Sequence, residues 1–401
     1  MAQKKLMLLG GIRYLLPVIK VARNCGYYVI TCDYIPDNIA HKYSDEYVNV
    51  SIIDKEAVLQ VAKKKQINGI MSFGVDPGVI AASYVQNQLG LPSFGPYESV
   101  EILQNKDKFR AFLTANGFNV PKSKGYNTVQ EAKADVLNWT FPVIVKPTDS
   151  AGSKGVMRAD SLEAMHKAID NAHKYSIKGN IIIEQFIEKL GCSSDCDAFC
   201  KNGKLKFISF NSQYFDSTAN NPYTPAAFSW PSTFTAEQEQ ELTSEIQRLL
   251  TLLNMETSIY NIETRIGSDN KAYIMEVTPR GGGNCLSEMI KYATGIDLIK
   301  ACTCAAVGDK IPEIKKQPYV GNWAEIILHA DNTGVFGGLQ INEKIRKYVV
   351  KEDLWVNIGD KVKGFEGAND AIGTLVFNFN NKKILGEVIN SPQEWFKVKV
   401  L

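Results

Sequence analysis

Histidine is scarce. The 401-residue chain holds four, His41, His166, His173 and His329, so reaction schemes built on an imidazole base are poorly supplied. His166 and His173 fall seven apart on one helical stretch and read as a partly exposed stripe. No apolar run approaches the ~20 residues a bilayer-spanning helix needs. The opening MAQKKLMLLGGIRY sets apolar residues behind two lysines, but Gly10, Gly11 and Arg13 cut that run too short for a signal peptide. It reads as a first strand. Charge of one sign is missing too. The net charge is +2 without a long block of either sign, which gives no electrostatic case for a nucleic-acid or membrane partner.

Two phosphate-binding signatures are also absent. Gly10-Gly11 follows a strand and Asp33 ends the next one, which mimics a dinucleotide site. Ile12, Arg13 and Tyr14 then stand where G-x-G-x-x-G needs its spacing and third glycine, so NAD binding is a weak reading. The G-x-x-x-x-G-K-[ST] loop occurs nowhere. The 8 cysteines include no C-x-x-C, and Cys192, Cys196 and Cys200 stand four apart without a fourth ligand nearby. Small buried residues explain them better than zinc. Irregular cysteine spacing without a signal peptide predicts reduced thiols in the cytoplasm.

What is present fits an ordinary globular protein, 45% hydrophobic and 22% charged. Its length suffices for two or three domains. Strand and helix patterns alternate through the first hundred residues: KLMLLG, then LLPVIKVARNCG, YYVITCD, DKEAVLQVAKKKQ, INGIMSF and PGVIAASYVQNQLG. Alternation of this kind predicts parallel strands joined by helices. A helix NKDKFRAFLTANG leads to VPKS, a domain junction. DSLEAMHKAIDNAHKY is an amphipathic helix capped by Asp160 or Ser161. NIIIEQFI is an apolar strand with an acid inside it, and CDAFCKNGKLKFISF is a hairpin turning at Asn202-Gly203. Residues 211–234, rich in Asn, Ser, Pro and aromatics, read as a long irregular segment, a lid or specificity loop. From about residue 312 onward, strand-like runs and glycine turns predict a small β-rich domain.

Two stretches carry the chemistry. In FPVIVKPTDSAGSKGV an apolar strand ends in Lys146, and a Gly/Ser loop with a second lysine, Lys154, follows. In SIYNIETRIGSDNKAYIMEVTPRGGGN two β-rich runs flank GSDNKA. A turn centred on Asp269-Asn270 pairs Arg265 with Ile274 and sets Glu263 opposite Glu276. Side chains so placed lie ~5 Å apart at Cβ, and two like charges there are unfavourable unless compensated. A divalent cation compensates them, and Mg²⁺ prefers a few carboxylate oxygens together with phosphate and water. A solvated face neutralised by Arg265, or a one-residue slip, is the alternative. Arg280 and the following glycines, suited to an anion and to close backbone approach, favour the metal.

This set of residues resembles the ATP-grasp superfamily of ligases over about residues 1–310. The resemblance implies an α/β fold: a Rossmann-like pre-ATP domain (1–103), an ATP-grasp domain of two subdomains (104–310, hinge near 184–188) and a small β-rich C-terminal cap (311–401). It implies ATP and Mg²⁺ (or Mn²⁺) as cofactors. Lys106 or Lys108, with Lys106 favoured, would contact phosphate, as would Lys146. Ser150, Gly152, Ser153 and Gly155 would form the flexible phosphate loop. Glu184 would accept from the adenine amino group, and the backbone of Gln185, Phe186 and Ile187 would meet the ring edge. The family's ribose-holding acid is replaced by Ser193, leaving Glu188 or Asp195 as substitutes. Glu263 and Glu276 would bind metal, with Thr278 a weaker ligand where the family has Asn. Arg280 and Lys154 would act on the transferring phosphoryl group.

The implied activity is ADP-forming ligation of a carboxylate, through an acyl phosphate, to an amine, with an amino-acid or peptide-like substrate. Small molecules would be the partners, and family members are often homodimers. Biotin carboxylase and carbamoyl-phosphate synthase are sibling readings, although Met-Lys-Met is absent and the module occurs once. A non-catalytic ATP-binding or sensing module is the reading of another class, motivated by Ser193 and Thr278.

Overall fold

The structure is a computed structural model that describes residues 3–150, 152–315 and 318–401. Ala151 of the Gly/Ser loop therefore lies outside the described residues.

The alternating patterns of the first hundred residues form a parallel sheet in the order β3-β2-β1-β4, from β1 (Lys5–Leu9), β2 (Tyr28–Asp33), β3 (Glu46–Asn49) and β4 (Gly69–Ser72). Leu6 to Leu9 are wholly buried, as a strand covered on both faces requires. A second sheet, in the order β5-β8-β6-β7, is antiparallel and joins β5 (Ser123–Tyr126), β6 (Val143–Pro147), β7 (Met157–Ala159) and β8 (Ile181–Gln185). The helix Leu162–Tyr175 covers it, and of the two candidate caps Ser161 is used, its hydroxyl accepting from the Ala164 N–H at 3.2 Å.

A third sheet follows the order β10-β9-β13-β14, with β9 (Ser194–Lys201), β10 (Lys204–Ile208), β13 (Ser258–Ile266) and β14 (Ala272–Thr278). The β9–β10 hairpin turns at Asn202-Gly203, both with positive φ, as the Asn-Gly pair predicts. One continuous apolar cluster runs from Met7, Ile30 and Ile70 through Phe94 and Leu113 to Leu242, Tyr260 and Ile274. The first and third sheets are thereby packed through a common core.

The segment 211–234 departs from the irregular reading. It contains β11 (Ser212–Phe215) and β12 (Pro225–Trp230), and only 216–224 between them lacks strand. Both strands join the C-terminal sheet, whose order is β11-β12-β15-β19-β17, with β15 (Asn322–Leu328), β17 (Val349–Leu354) and β19 (Gly373–Phe379). A smaller sheet, in the order β18-β16-β20, unites β16 (Gly334–Ile341), β18 (Lys361–Val362) and β20 (Phe396–Val400). Residues 311–401 are β-rich, and the helix Lys382–Asn390 packs Val388 and Ile389 into their core.

Candidate active site

The second, third and C-terminal sheets face one another across a cleft of about 430 Å³. The β13–β14 hairpin sets its floor. Glu263 stands opposite Glu276, as the turn symmetry predicts, but by a different route. A bulge at Met275 separates two registers, so Arg265 faces Tyr273 rather than Ile274. β9 adds Asp195 beside Glu263, and three carboxylates thus stand in one row across adjacent strands. Among the described residues they do not converge into a group of three that would hold a metal by themselves. Burial and the neighbouring Glu263 push the Asp195 carboxyl up to about 8. Burial also raises Glu263. Burial acts on Glu276 in the same sense, but Lys106, Lys146 and Arg280 outweigh it and hold that carboxyl below its ordinary value.

The lysines converge from separate elements. Asn105 caps the helix Lys106–Ala115, its side chain accepting from the Lys108 N–H at 2.9 Å, which puts Lys106 in the first turn. The Lys106 ammonium donates to the Ser150 carbonyl at 3.2 Å and lies 3.7 Å from Glu276. Lys108 points away and pairs with Glu101 at the surface, 3.8 Å apart. Of the two lysines, Lys106 lines the cleft and Lys108 does not.

Glu184 requires a correction. It is wholly buried, but its partners are supplied by the protein: Arg110 Nε at 2.8 Å and Lys146 Nζ at 2.7 Å. Burial disfavours its charge, yet these two cations prevail and hold the carboxyl at about 2. The backbone beside it is also largely committed. The Gln185 N–H donates to the Lys122 carbonyl at 2.7 Å and the Phe186 N–H to the Pro142 carbonyl at 3.0 Å. Among the described residues the Ile187 N–H has no such acceptor, so it is the open donor on this edge. Arg158 and Arg265 lie over the Phe186 ring, 4.4 and 5.8 Å from its centre.

The Gly/Ser loop closes one end of the cleft. Gly152, Ser153 and Gly155 all have positive φ. The loop is tied to the segment 216–224: the Ser153 hydroxyl donates to the Tyr223 carbonyl at 3.0 Å, and Asn221 Nδ2 donates to the Ser153 carbonyl at 3.0 Å. Lys154 is exposed at the cleft edge.

At the opposite end Arg280 lines the cleft with most of its donors occupied. Nε and Nη2 meet Asp76 at 2.8 and 2.7 Å, and Nη1 donates to Asn261 Oδ1 at 2.8 Å and to the Gly281 carbonyl at 3.0 Å. Of its five N–H groups one, on Nη2, is left for a ligand. Gly282 is needed for close approach, since a Cβ there would lie 2.8 Å from Asn261 Nδ2, and its N–H donates to the buried Asp197 at 2.8 Å.

Of the eighteen residues offered for a role in the sequence, fourteen line the cleft: Lys106, Lys146, Ser150, Gly152, Ser153, Lys154, Glu184, Gln185, Phe186, Ile187, Asp195, Glu263, Glu276 and Arg280. Besides Lys108, three lie outside it. Glu188 is exposed and pairs with Arg158 at 2.9 Å, which leaves Asp195 as the acid of that region inside the cleft. Gly155 is buried, and a Cβ there would meet Tyr175 at 2.8 Å and Pro147 at 3.1 Å, so packing explains it. Thr278 is buried and does not line the cleft, whereas Asn261, directly opposite it on β13, does. Asn261 donates to Asp195 Oδ1 at 2.7 Å. The sequence reading missed Asn261, Asp76, Arg110 and Tyr14. For Asn261 the signal was present, since it lies two residues before Glu263 and so on the same strand face.

Comparison with known proteins agrees with this architecture. Residues 139–288 match the family profile described as an ATP-grasp domain. The carbamoyl phosphate synthase large chain of Thermoanaerobacter pseudethanolicus is 25% identical over 266 residues, covering 65% of this chain and 24% of that protein. The chain thus spans about a quarter of the length of such curated relatives. Among solved structures, L-amino acid ligase from Bacillus licheniformis superposes with a TM-score of 0.82 at 19% identity, over 100% of both chains. The biotin carboxylase domain of Hydrogenobacter thermophilus 2-oxoglutarate carboxylase, a complex with MgADP and bicarbonate, gives 0.73 at 15% identity, over 100% of this chain and 91% of that one.

Proposed function

We propose that this chain, which carries an ATP-grasp domain within an ATP-grasp fold, is an ADP-forming ligase. It activates a carboxylate as an acyl phosphate and joins it to an amine, with an amino acid or peptide-like molecule as substrate. One observation carries the reading: Lys106 and Lys146, from separate elements, face the paired acids Glu263 and Glu276 across one cleft that a Gly/Ser loop closes. Phosphoryl transfer is largely positioning and charge neutralisation, and this is a set of groups for both.

The residues divide the task. Lys106, Lys146 and the loop residues Ser150, Gly152, Ser153 and Lys154 hold the phosphates of ATP. The open Ile187 N–H meets the base. Glu263 has no ion-pair partner within 4 Å among the described residues, and with Glu276 it offers the hard oxygen ligands that Mg²⁺ (or Mn²⁺) accepts. Bound there, such a cation supplies further neutralisation of phosphate charge. Arg280 is steadied by Asp76 and turns its remaining donor to the carboxylate or the transferring group. A carboxylate oxygen attacks the γ-phosphorus and the bond to the β,γ-bridging oxygen breaks, releasing ADP. The amine nitrogen then attacks the acyl carbon, phosphate leaves with the bonding pair, and the amine loses a proton. The segment 216–224, tied to the loop through Asn221 and Tyr223, selects the substrate.

The test is ADP release from Mg-ATP with pooled amino acids, small carboxylates and ammonia, using Glu276→Gln as control. ADP that requires both an acid and an amine, and that vanishes in Glu276→Gln while the fold persists, is the expected result. Normal turnover by Glu276→Gln would remove the metal assignment. The departures at Ser193 and Thr278 favour one rival, a non-catalytic ATP-binding module, and ATP binding without ADP release in any pool would select it.

A further inference from the structure

At the Arg280 end of the cleft two carboxylates, Asp76 and Asp195, stand against one guanidinium. Arg280 is 8% exposed and keeps one free N–H, since Asp76, Asn261 and the Gly281 carbonyl take the others. Asp195 is partly buried on the cleft wall. Its Oδ1 accepts from Asn261 Nδ2 at 2.7 Å, and its Oδ2 has neither a hydrogen-bond nor an ion-pair partner among the described residues. Gln213, 3% exposed, shares this wall: it bridges Ser193, two residues before Asp195, and its Oε1 is likewise unpartnered.

The Asn261 amide ties Arg280 to Asp195. Its Oδ1 accepts from Arg280 Nη1 at 2.8 Å, and its Nδ2 donates to Asp195 and, at 3.3 Å, to Asp197. The flipped amide would set its oxygen against two carboxylates and its NH₂ against a guanidinium, so the orientation is fixed by its neighbours. Arg280 and Asp195 are thereby held a side-chain amide and two hydrogen bonds apart. An unpaired amide and a half-paired carboxylate give the fold nothing in return for their desolvation. Both open groups lie where a ligand can reach them.

We propose that Asp195 receives the ammonium group of an α-amino acid whose carboxylate meets the free N–H of Arg280. Such a molecule carries an anion and a cation on one carbon. With a hydrogen bond on either side, its head group spans what the Asn261 amide spans with its own two. The ammonium is donor-only, and Asp195 Oδ2 and the Gln213 amide are the open acceptors. A cation there also offsets the burial and the Glu263 charge that weigh on Asp195. A metal fits less well, because among the described residues the three acids of the row do not gather into a ligand set. An amine held as ammonium has no lone pair with which to attack. The amino acid so bound is therefore the carboxylate that is activated, and the attacking amine comes from the other substrate. The inference rests on the ligase reading and deepens it, naming which substrate is activated and the second charge it carries.

The experiment uses the full chain with Mg²⁺ and a non-hydrolysable ATP analogue. Each common amino acid, its N-acetyl derivative and the matching acid without the amino group are compared by thermal stabilisation, and then by Kd. At least one amino acid should bind, with both counterparts at least about tenfold weaker. Asp195→Asn should weaken that amino acid about tenfold to a hundredfold, the range for a lost charge-assisted hydrogen bond, with the Kd of the ATP analogue kept. Asp195→Glu, which retains the charge, should lose less. The wild-type comparison of the three ligand forms serves alone if the variants fold poorly. Four results would each overturn the inference: no amino acid binds the wild type, the counterparts bind equally, Asp195→Asn binds the amino acid with unchanged Kd, or it weakens the ATP analogue as much, as an acid holding ribose or metal would. Asp195-dependent binding without ADP release in any pool would end the ligase reading and leave the subsite. ADP release from N-acetyl or amine-free acids at undiminished kcat/KM would do the reverse.

Discussion

Glu184→Gln separates two roles for the most deeply buried acid of the cleft. The carboxylate bridges Arg110 and Lys146 at 2.8 and 2.7 Å with no exposed surface. The variant leaves two buried cations without an anion, and breaking a buried ion pair by removing one partner costs about 3–5 kcal/mol. The ionisation of Glu184 gives a consistent figure: the drop from 4.5 to about 2 corresponds to about 3 kcal/mol. At about 2–4 °C per kcal/mol for a unit of 150–250 residues, the melting temperature should fall by about 6–20 °C. The sign with pH follows from a depressed acid. The stabilisation is present above 4.5 and is lost as pH falls towards 2, so the wild type should lose stability through that window and Glu184→Gln should lose less. Function distinguishes the roles further. If Glu184 fixes the charge and position of Lys146, the variant should bind tripolyphosphate as poorly as it binds ATP. Calorimetric titration with both ligands reads this. Weakened ATP binding with unchanged tripolyphosphate binding would restore the adenine-reading role and refute the ion-pair argument, as would a melting temperature equal to the wild type.

Lys106→Ala should weaken Mg-ATP binding at least tenfold, whereas Lys108→Ala, paired only at the surface, should change it little; equilibrium titration of both variants checks this, and equal effects would contradict the capping argument. Shortening 216–224 should change the ratio of kcat/KM between substrates while the ADP-forming chemistry persists, and an unchanged ratio would remove that segment from substrate choice.

Much of the site was legible because it rests on local patterns. Alternation along β13 and β14 and a tight turn between them bring Glu263 to Glu276, and strand-then-loop chemistry places Lys146 and Ser150 to Lys154. The pairing was reached through a bulge that turn symmetry does not reveal, which is why the inner pairs, Arg265 with Tyr273 among them, differ. What remained hidden is non-local. β11 and β12 look irregular because their sheet is completed by β15, almost a hundred residues later. The partner of Glu184 is Arg110, separated by 74 residues and invisible to any periodicity. Asp195 joins the row of acids only through the register of β9 against β13, and Asp76 reaches Arg280 from the turn after β4.

Carboxylate activation itself has one direct test. Amino acids labelled with ¹⁸O in their carboxylates are supplied as a pool with Mg-ATP and ammonia, and the released inorganic phosphate is analysed by mass. The account predicts one ¹⁸O per phosphate, because the attacking carboxylate oxygen leaves with the phosphoryl group when the amine displaces it. Phosphate released without label, in step with ADP, would mean that water rather than a carboxylate accepts the phosphoryl group, and the ligase assignment would be wrong.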